Sequence, residues 1–289
     1  MSEAAQAQRE IRRGRWRRLR SGLATLLGGR PQGFFIPYRY AAQVEACAYP
    51  ALLPLFADRE PQLRKTLAAI ESFGSKFQQM VGPAPQPRFD QDWFPRLDAA
   101  AAYAMVCRTR PERIVEVGSG HSTRFLARAI ADEKLETELT CIDPAPRAAL
   151  AGLDVCWIEQ VLQQAPHSCF EALGPGDILF IDSSHVLMPG SDVDILLNQI
   201  LPSLSAGVLV HVHDVFLPDA YPEAWSWRGY NEQSAVAVLL HSGAYELQFA
   251  SHYVATRLAD EIAGGSLAPL PHGSGAFESS LWLCKRSSP

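Results

Sequence analysis

Residues 113–125 read RIVEVGSGHSTRF, an apolar run that ends in a glycine-rich turn and continues into a polar segment. The β-branched residues that open the stretch predict a buried parallel strand. Gly118 and Gly120 permit backbone angles and a close ligand approach that a side chain would block. Ser122 or Thr123 can cap a following helix, whose free N–H groups and positive dipole end favour an anionic ligand group. The stretch therefore predicts a strand, a ligand-contacting turn and a helix.

Helical and strand patterns alternate from Phe94 onward. The predicted helices are 96–109, 122–131, 166–173, 191–203 and 231–242, and the predicted strands are 113–117, 138–142, 154–158, 177–181 and 207–212. This alternation predicts a parallel sheet with right-handed crossovers. Two more strands, 245–254 and 279–285, are joined by a Gly/Pro/Ser-rich loop with no strong helical pattern and predict an antiparallel hairpin at one sheet edge. The expected fold is α/β and Rossmann-like, with seven mostly parallel strands and helices on both faces.

The first 87 residues precede this alternation and divide into two parts. Residues 1–30 contain eight Arg and two Glu, a net charge of +6, so the remaining residues account for −11 of the total of −5. Residues 31–87 predict helices around 41–47 and 62–80 and end in a proline-rich linker. We expect a basic segment at 1–30, a helical extension at 31–87 and an α/β domain at 88–289. The acidic body argues against nucleic acid as a substrate.

The arginine-rich segment 11–27 has apolar residues at partly helical spacing. Two interpretations stay open. The segment is a basic amphipathic helix for an anionic membrane or an acidic partner, or it is a solvated helix that docks on the body.

Six cysteines show neither C-x-x-C nor metal-finger spacing, which predicts buried small apolar residues in a reducing compartment. No apolar run approaches the length of about 18 residues that a membrane span needs, and no secretory signal is evident. A cytoplasmic location is therefore expected. No sequence feature specifies an oligomeric state.

The glycine turn fits one of two nucleotide-binding patterns better than the other. The dinucleotide fingerprint G-x-G-x-x-G requires a third glycine, and Thr123 stands in its place. The acid two residues before the first glycine gives E-x-G-x-G, which resembles motif I of the class I S-adenosylmethionine-dependent methyltransferases. Asp143 follows the next strand and is placed to accept hydrogen bonds from ribose hydroxyls. The resemblance implies an S-adenosylmethionine site formed by Glu116, Gly118, Ser119, Gly120, Ser122, Asp143 and Asp182.

Polar residues also follow the fourth and fifth predicted strands. Asp182 ends the fourth strand, with His185 three residues later, and His213 and Asp214 end the fifth. Ligands bind beyond the carboxyl ends of parallel strands, so these side chains should lie close together. Asp182, His213 and Asp214 are suitable ligands for a divalent cation: Mg²⁺ or Ca²⁺ for the oxygens, and Mn²⁺, Fe²⁺ or Zn²⁺ if the imidazole binds. His211 points to the same side but deeper, and is expected in the core.

The same positions resemble those of the catechol-type O-methyltransferases. Asp182 and the pair 213–214 fall where that family places its metal ligands, and His185 falls where it places its catalytic Lys. Three residues differ in type from the family's, because His replaces Asp at 213, Asp replaces Asn at 214 and His replaces Lys at 185. A closer resemblance, over residues 88–286, is to a bacterial group related to sugar and secondary-metabolite O-methyltransferases and to the cephalosporin hydroxylase family. Its signatures are QDWFPRLDA at 91–99, EVGSGHSTRF at 116–125, GDILFIDSSH at 176–185 and HVHD at 211–214.

These resemblances imply methyl transfer to a hydroxyl group of a small molecule such as a sugar or secondary metabolite. His185 would be the general base, with Asp182 also catalytic and Mg²⁺ or another divalent cation assisting. The aromatic stretch 216–230 is either a lid over the acceptor or ordinary edge packing. Three alternatives are a metal-dependent hydroxylase using His213 with two carboxylates, a nicotinamide dehydrogenase, which the missing glycine disfavours, and a non-catalytic cofactor-binding scaffold.

Overall fold

The protein is described by a computed structural model covering residues 3–28, 31–273 and 275–287. Its strands form one seven-stranded sheet in the order β3-β2-β1-β4-β5-β7-β6. The first five strands are parallel to one another, and β7 runs antiparallel to both β5 and β6. The predicted sheet and its antiparallel hairpin are therefore confirmed. The strands are β1 Arg113–Val117, β2 Glu138–Ile142, β3 Cys156–Ile158, β4 Ile178–Ile181, β5 Leu209–Val212, β6 Tyr245–Ala250 and β7 Leu281–Lys285.

Helices surround this sheet. They are α1 Glu3–Leu26, α2 Leu53–Glu71, α3 Gly74–Phe77, α4 Arg96–Thr109, α5 His121–Asp132, α6 Ser168–Glu171, α7 Asp192–Ile195, α8 Leu201–Ser203, α9 Glu232–Ser242, α10 Ser251–Arg257 and α11 Ala259–Ala263. A π-helical turn at Leu196–Ile200 joins α7 to α8, so the chain is helical from 192 to 203. β1, β2 and α4 have the predicted bounds. Each is an uninterrupted periodic run bounded by a turn or by proline.

The connection between β6 and β7 differs from the prediction. The strand ends at Ala250 instead of residue 254, and the loop expected to lack helices contains α10 and α11. Tyr253, Val254 and Ile262 on these helices are buried. Their rings and methyl groups pack into the core, with Tyr253 against Phe56 at 5.2 Å between ring centroids. Tertiary packing here outweighs the glycine- and proline-rich composition of the connection.

The N-terminal extension also differs in its bounds. A helix expected at 62–80 begins at Leu53 and continues through Pro61, and the helix expected at 41–47 is only a 3₁₀ turn at Ala41–Gln43. The face of α2 that is periodic over 53–71 is buried, and it belongs to the same apolar core as the sheet. Burial along this face keeps the helix continuous despite the proline. The extension therefore shares the core of the sheet.

The cysteine prediction holds only in part. Cys107 and Cys141 are buried, whereas Cys47 and Cys156 are exposed. Within the described parts of the chain, none of the helices combines the length and the apolar composition that crossing a bilayer requires.

Candidate active site

The glycine turn after β1 packs directly on the tip of β4. Gly118 has a φ of +82°, and a Cβ atom there would overlap the carbonyl group of Asp182. Its N–H donates to the Ile142 carbonyl at 3.0 Å, which ties the turn to β2 as well. Only glycine combines this backbone angle with so close an approach. The turn thus joins the tips of three adjacent strands, β2, β1 and β4.

Glu116 holds the turn in place from below. Its carboxylate is fully buried and accepts hydrogen bonds from the Ser122 and Thr123 hydroxyls, both at 2.6 Å. The Thr123 hydroxyl accepts in turn from the Gly120 N–H at 2.9 Å, which caps α5. Burial raises the pKa of Glu116 to about 7, although the two hydroxyls act against the shift. The side chains of Glu116 and Ser122 contact each other, and the expectation that these residues bind the cofactor stays a prediction.

Asp143 lies at the tip of β2 as expected. One carboxylate oxygen accepts from the Ser119 N–H at 2.6 Å and the other from the Ala145 N–H at 2.7 Å. Each oxygen keeps a further lone pair, so the half-buried carboxylate can still accept from a ligand hydroxyl. The half-exposed indole of Trp157 lies alongside and donates to the Asp143 carbonyl at 2.9 Å.

A cluster of carboxylates and imidazoles lies at the tips of β4 and β5. Nε2 of His185 is 3.2 Å from Oδ1 of Asp182 and 3.3 Å from Oδ2 of Asp214. Nδ1 of His213 is 3.5 Å from Oδ1 of each of the same two carboxylates. The sequence prediction that these four residues lie together is confirmed. His185 is 1% exposed, whereas the Asp182 side chain is 22% exposed and is the group that reaches the surface of the site.

Two further carboxylates lie behind the imidazoles. Oε2 of Glu232, at the start of α9, is 2.9 Å from Nδ1 of His185, and Oδ2 of Asp98, in α4, is 3.2 Å from Nε2 of His213. Asp98 also accepts from the backbone N–H groups of Ser279 and Ser280, just before β7. Both nitrogens of each ring therefore face carboxylates. The free nitrogen expected on His185 is absent from this arrangement.

Burial and charge act in opposite directions on these groups. Burial alone would lower the pKa of His185 and of His213, but Asp214 and Asp182 hold both well above the usual value, with added help from Glu232 and Asp98 respectively. Burial alone would raise the pKa of Asp182, but the two imidazoles hold it well below its usual value. At neutral pH the cluster therefore contains two imidazolium ions and an ionised Asp182.

The backbone is strained at two of these positions. His185 and Asp214 have φ values of +59° and +56°, two of only four described residues other than glycine with positive φ. A side chain in this region costs on the order of 1 to 2 kcal/mol. Such strain concentrates at functional sites.

The arrangement does not fit a metal ion as the side chains stand. Asp182, His213 and Asp214 converge, but both nitrogens of His213 are directed at carboxylates, which hold the pKa of the ring well above its usual value. A protonated imidazole has no lone pair for a metal. No group of three or more His, Cys, Asp or Glu side chains in the described residues is arranged to hold a metal ion.

His211 is a core residue, as expected. Its ring stacks on Phe180 at 3.7 Å between centroids, and its Nε2 is 2.8 Å from the Ser280 hydroxyl. Burial, together with nearby His213, holds its pKa well below the usual value. A neutral ring here adds no charge to the cluster.

The aromatic stretch 216–230 packs above this cluster. The Tyr230 ring lies 4.7 Å from the His185 ring, and Tyr230 contacts Tyr221 and Trp225 edge to face. Whether it opens as a lid stays a prediction.

Two site residues were missed by sequence reasoning. Asp98 lies within the signature stretch 91–99, where it precedes an alanine-rich run and resembles an ordinary first-turn helix acid. Glu232 lies in the first turn of α9 and also resembles a favourable dipole partner. Only the fold brings these acids, at positions 98 and 232, to histidines at 213 and 185.

Comparison with known protein families identifies one family whose model matches part of the chain. The profile of a family described as "Methyltransferase domain" matches residues 115–215, which run from β1 through β5 and include both strand tips. The strand order, in which the last strand of the sequence is inserted antiparallel beside β5, is that of the class I methyltransferases. Residues 115–215 therefore match a methyltransferase domain, within a sheet that has the class I methyltransferase fold. No curated protein matches the chain significantly.

Three solved structures illustrate the similarity in fold. The S-adenosylhomocysteine-bound methyltransferase PaMTH1 of Podospora anserina is 17% identical, with 88% of this chain and 100% of that chain covered and a TM-score of 0.44. A structure of CmcI whose description names Mg and S-adenosylmethionine is 12% identical, with 74% of this chain and 84% of that chain covered and a TM-score of 0.41. The plantazolicin methyltransferase BamL is 13% identical, with 81% and 100% covered and a TM-score of 0.43. Similarity this low carries no information on the acceptor.

Proposed function

We propose that this methyltransferase acts on a hydroxyl group of a small-molecule acceptor and that Asp182 receives the hydroxyl proton. The observation that supports the proposal is the position of Asp182. Its Oδ1 atom is held between the imidazoles of His185 and His213, while its side chain remains the most exposed of the four in the cluster. It lies beside the glycine turn, so donor and acceptor sites would adjoin.

S-adenosylmethionine would bind at the backbone of residues 118–120 and at the Asp143 carboxylate. When bound, it supplies a methyl group on a positively charged sulfur. The Ser183 hydroxyl, one residue beyond Asp182, is buried and has no hydrogen-bond partner among the described residues. Buried polar groups rarely remain unpaired, so a ligand at this strand tip would satisfy it.

The acid strength of the acceptor explains why a carboxylate of low pKa can receive the proton. A hydroxyl oxygen that gains a methyl group becomes a protonated ether, which is a far stronger acid than a carboxylic acid. Asp182 needs to accept the proton only late in the transfer, and its exposed edge can hydrogen-bond the hydroxyl beforehand. His185 and His213 then orient and stabilise the carboxylate. On this proposal His185 positions the proton acceptor and is not itself the base.

Asp182→Asn tests the proposal, because it removes the basic oxygen with little change of shape. We expect turnover, followed as S-adenosylhomocysteine release over a panel of sugar and phenolic acceptors, to fall by about 10² to 10⁴. Donor binding measured by titration calorimetry should weaken by less than about tenfold, a change of about 1.4 kcal/mol. Asp154→Asn, at an exposed position shortly before β3, is the matched control.

Two outcomes would count against the proposal. Full turnover by the Asp182→Asn variant would assign the proton to another group, and donor binding by the wild type without turnover of any acceptor would support the cofactor-binding scaffold. Oxygen-dependent turnover without methyl donor would support the hydroxylase alternative.

A further inference from the structure

Helix α1 has an apolar stripe that is directed away from the body of the protein. Trp16, Leu19, Leu23 and Leu26 repeat at the spacing of one helix face, and Leu27 adjoins them. These side chains are between 48% and 80% exposed. An ordinary surface helix turns such a face toward the core, so this orientation is unusual. We call these five residues the outward stripe.

The opposite face of α1 holds the helix on the body. Gly14 is buried, and a Cβ atom there would overlap the indole of Trp227. Arg17 lies over the same indole at 5.9 Å from the ring centroid. Ser21 and Thr25 follow Gly14 at intervals of seven and four residues, on the same face, and are half-buried. Docking through small residues leaves the outward stripe uncovered.

Positive charge surrounds the stripe. Six exposed arginines lie within ten residues, and no Asp or Glu occurs between Glu10 and Glu45. They are Arg12, Arg13, Arg15, Arg17, Arg18 and Arg20. By helical position Arg12 and Arg20 fall among the apolar side chains themselves, each four residues from Trp16. Arginines in such places extend their charged ends past a buried apolar layer.

The segment after α1 also combines exposed apolar side chains with an arginine. Phe34, Phe35, Ile36 and Tyr38 are between 58% and 62% exposed, and Arg39 follows them in sequence. Isolated exposed apolar residues are normal on a protein surface, but two consecutive groups of this size are not.

We propose that the outward stripe of α1 binds the surface of an anionic lipid bilayer. A layer of anionic head groups over hydrocarbon matches a face on which arginines alternate with Trp and Leu. Each arginine near such a surface adds to the binding, and the −11 charge of the rest of the protein keeps the body away from it. A second copy of the chain fits less well, because it would bring two segments of charge +6 together.

Sedimentation of the full chain with lipid vesicles tests the proposal. We expect binding to phosphatidylcholine vesicles that contain about 30 mol% phosphatidylglycerol, and little binding to phosphatidylcholine alone. Binding should weaken at least tenfold when the salt rises from about 0.1 to about 0.5 M, because screening shortens the range of the attraction. The double variant Leu19→Glu, Leu23→Glu should weaken it by a similar factor, roughly tenfold or more.

The control is Val238→Glu, which places one acidic side chain at a 65% exposed apolar residue of α9. It should bind vesicles as the wild type does. All substituted side chains are exposed, and unchanged circular dichroism and unfolding midpoints would show that the fold is intact. Equal binding by the double variant, or no sedimentation with anionic vesicles, overturns the proposal. Concentration-dependent dimerisation that the double variant loses, without vesicle binding, overturns it in favour of a second copy.

Discussion

Replacing Gly118 with alanine tests how the glycine turn is joined to the tip of β4. Two costs are expected. A non-glycine residue with a φ near +82° loses about 1 to 2 kcal/mol. The added methyl group would also overlap the Asp182 carbonyl, and overpacking of this kind costs about 1 to 3 kcal/mol more. The free energy of unfolding should therefore fall by about 2 to 5 kcal/mol.

Gly176→Ala separates the two costs. Gly176 has a φ of +91° but no atom within 4 Å of the position where a Cβ would lie. Its replacement should cost the backbone term alone, about 1 to 2 kcal/mol. Urea unfolding of the two variants gives both free energies, and calorimetry gives their affinities for S-adenosylmethionine. Gly118→Ala should lose donor affinity by at least tenfold, whereas Gly176→Ala should keep it, because only the first displaces the turn from Asp182. Equal stability and equal affinity in the two variants would refute the packing argument.

Three further results are expected. Asp143→Ala should weaken S-adenosylmethionine binding about tenfold or more by calorimetry, because it removes the expected hydrogen-bond acceptor for the ribose hydroxyls and leaves the Ser119 N–H without its acceptor. Unchanged affinity would show that the ribose does not bind Asp143. The pKa values of His185 and His213 are raised in the folded state, so both rings stabilise the fold when protonated. This stabilisation is complete below the unfolded pKa of about 6.5 and is lost as the pH rises through the folded pKa values. The free energy of unfolding should fall by up to about 1.4 kcal/mol per pH unit for each ring. Urea unfolding at rising pH should show this fall, and a His185→Gln variant should show a smaller one; a flat wild-type profile would contradict it. Chelation of divalent cations should leave turnover within about twofold, because a protonated imidazole has no lone pair for a metal. A loss of turnover that one added cation restores would instead indicate that Asp182 and His213 bind that cation.

The sequence predicted the sheet well because its strands are local patterns. β1, β2 and α4 each have a periodic run and a clear stop, so even their bounds were correct. Strand-tip positions followed from the same register, and this brought Asp182, His185, His213 and Asp214 together correctly. The cofactor prediction rested likewise on a local turn.

What could not be predicted depends on contacts between distant residues. Glu232, 47 residues later, occupies the second ring nitrogen of His185, and Asp98, 115 residues earlier, occupies the second ring nitrogen of His213. Neither acid differs in sequence from a common helix-start residue. Helix α10 depends in the same way on a distant contact, the packing of Tyr253 against Phe56 of α2, which cannot be seen in the composition of the helix itself.

The hydrogen bonds from Ser279 and Ser280 to Asp98 have a consequence for the order of folding. They join residues 181 and 182 positions apart, so Asp98 leaves the ribosome long before its two partners. Until the final strand pairs with β5, Asp98 and His213 have no fixed neighbour on that side. The earlier strands and the glycine turn can assemble first, and closing so long a loop is slow. On the proposed function, newly made chains would form the donor-contacting turn before the imidazole of His213 is fixed beside Asp182.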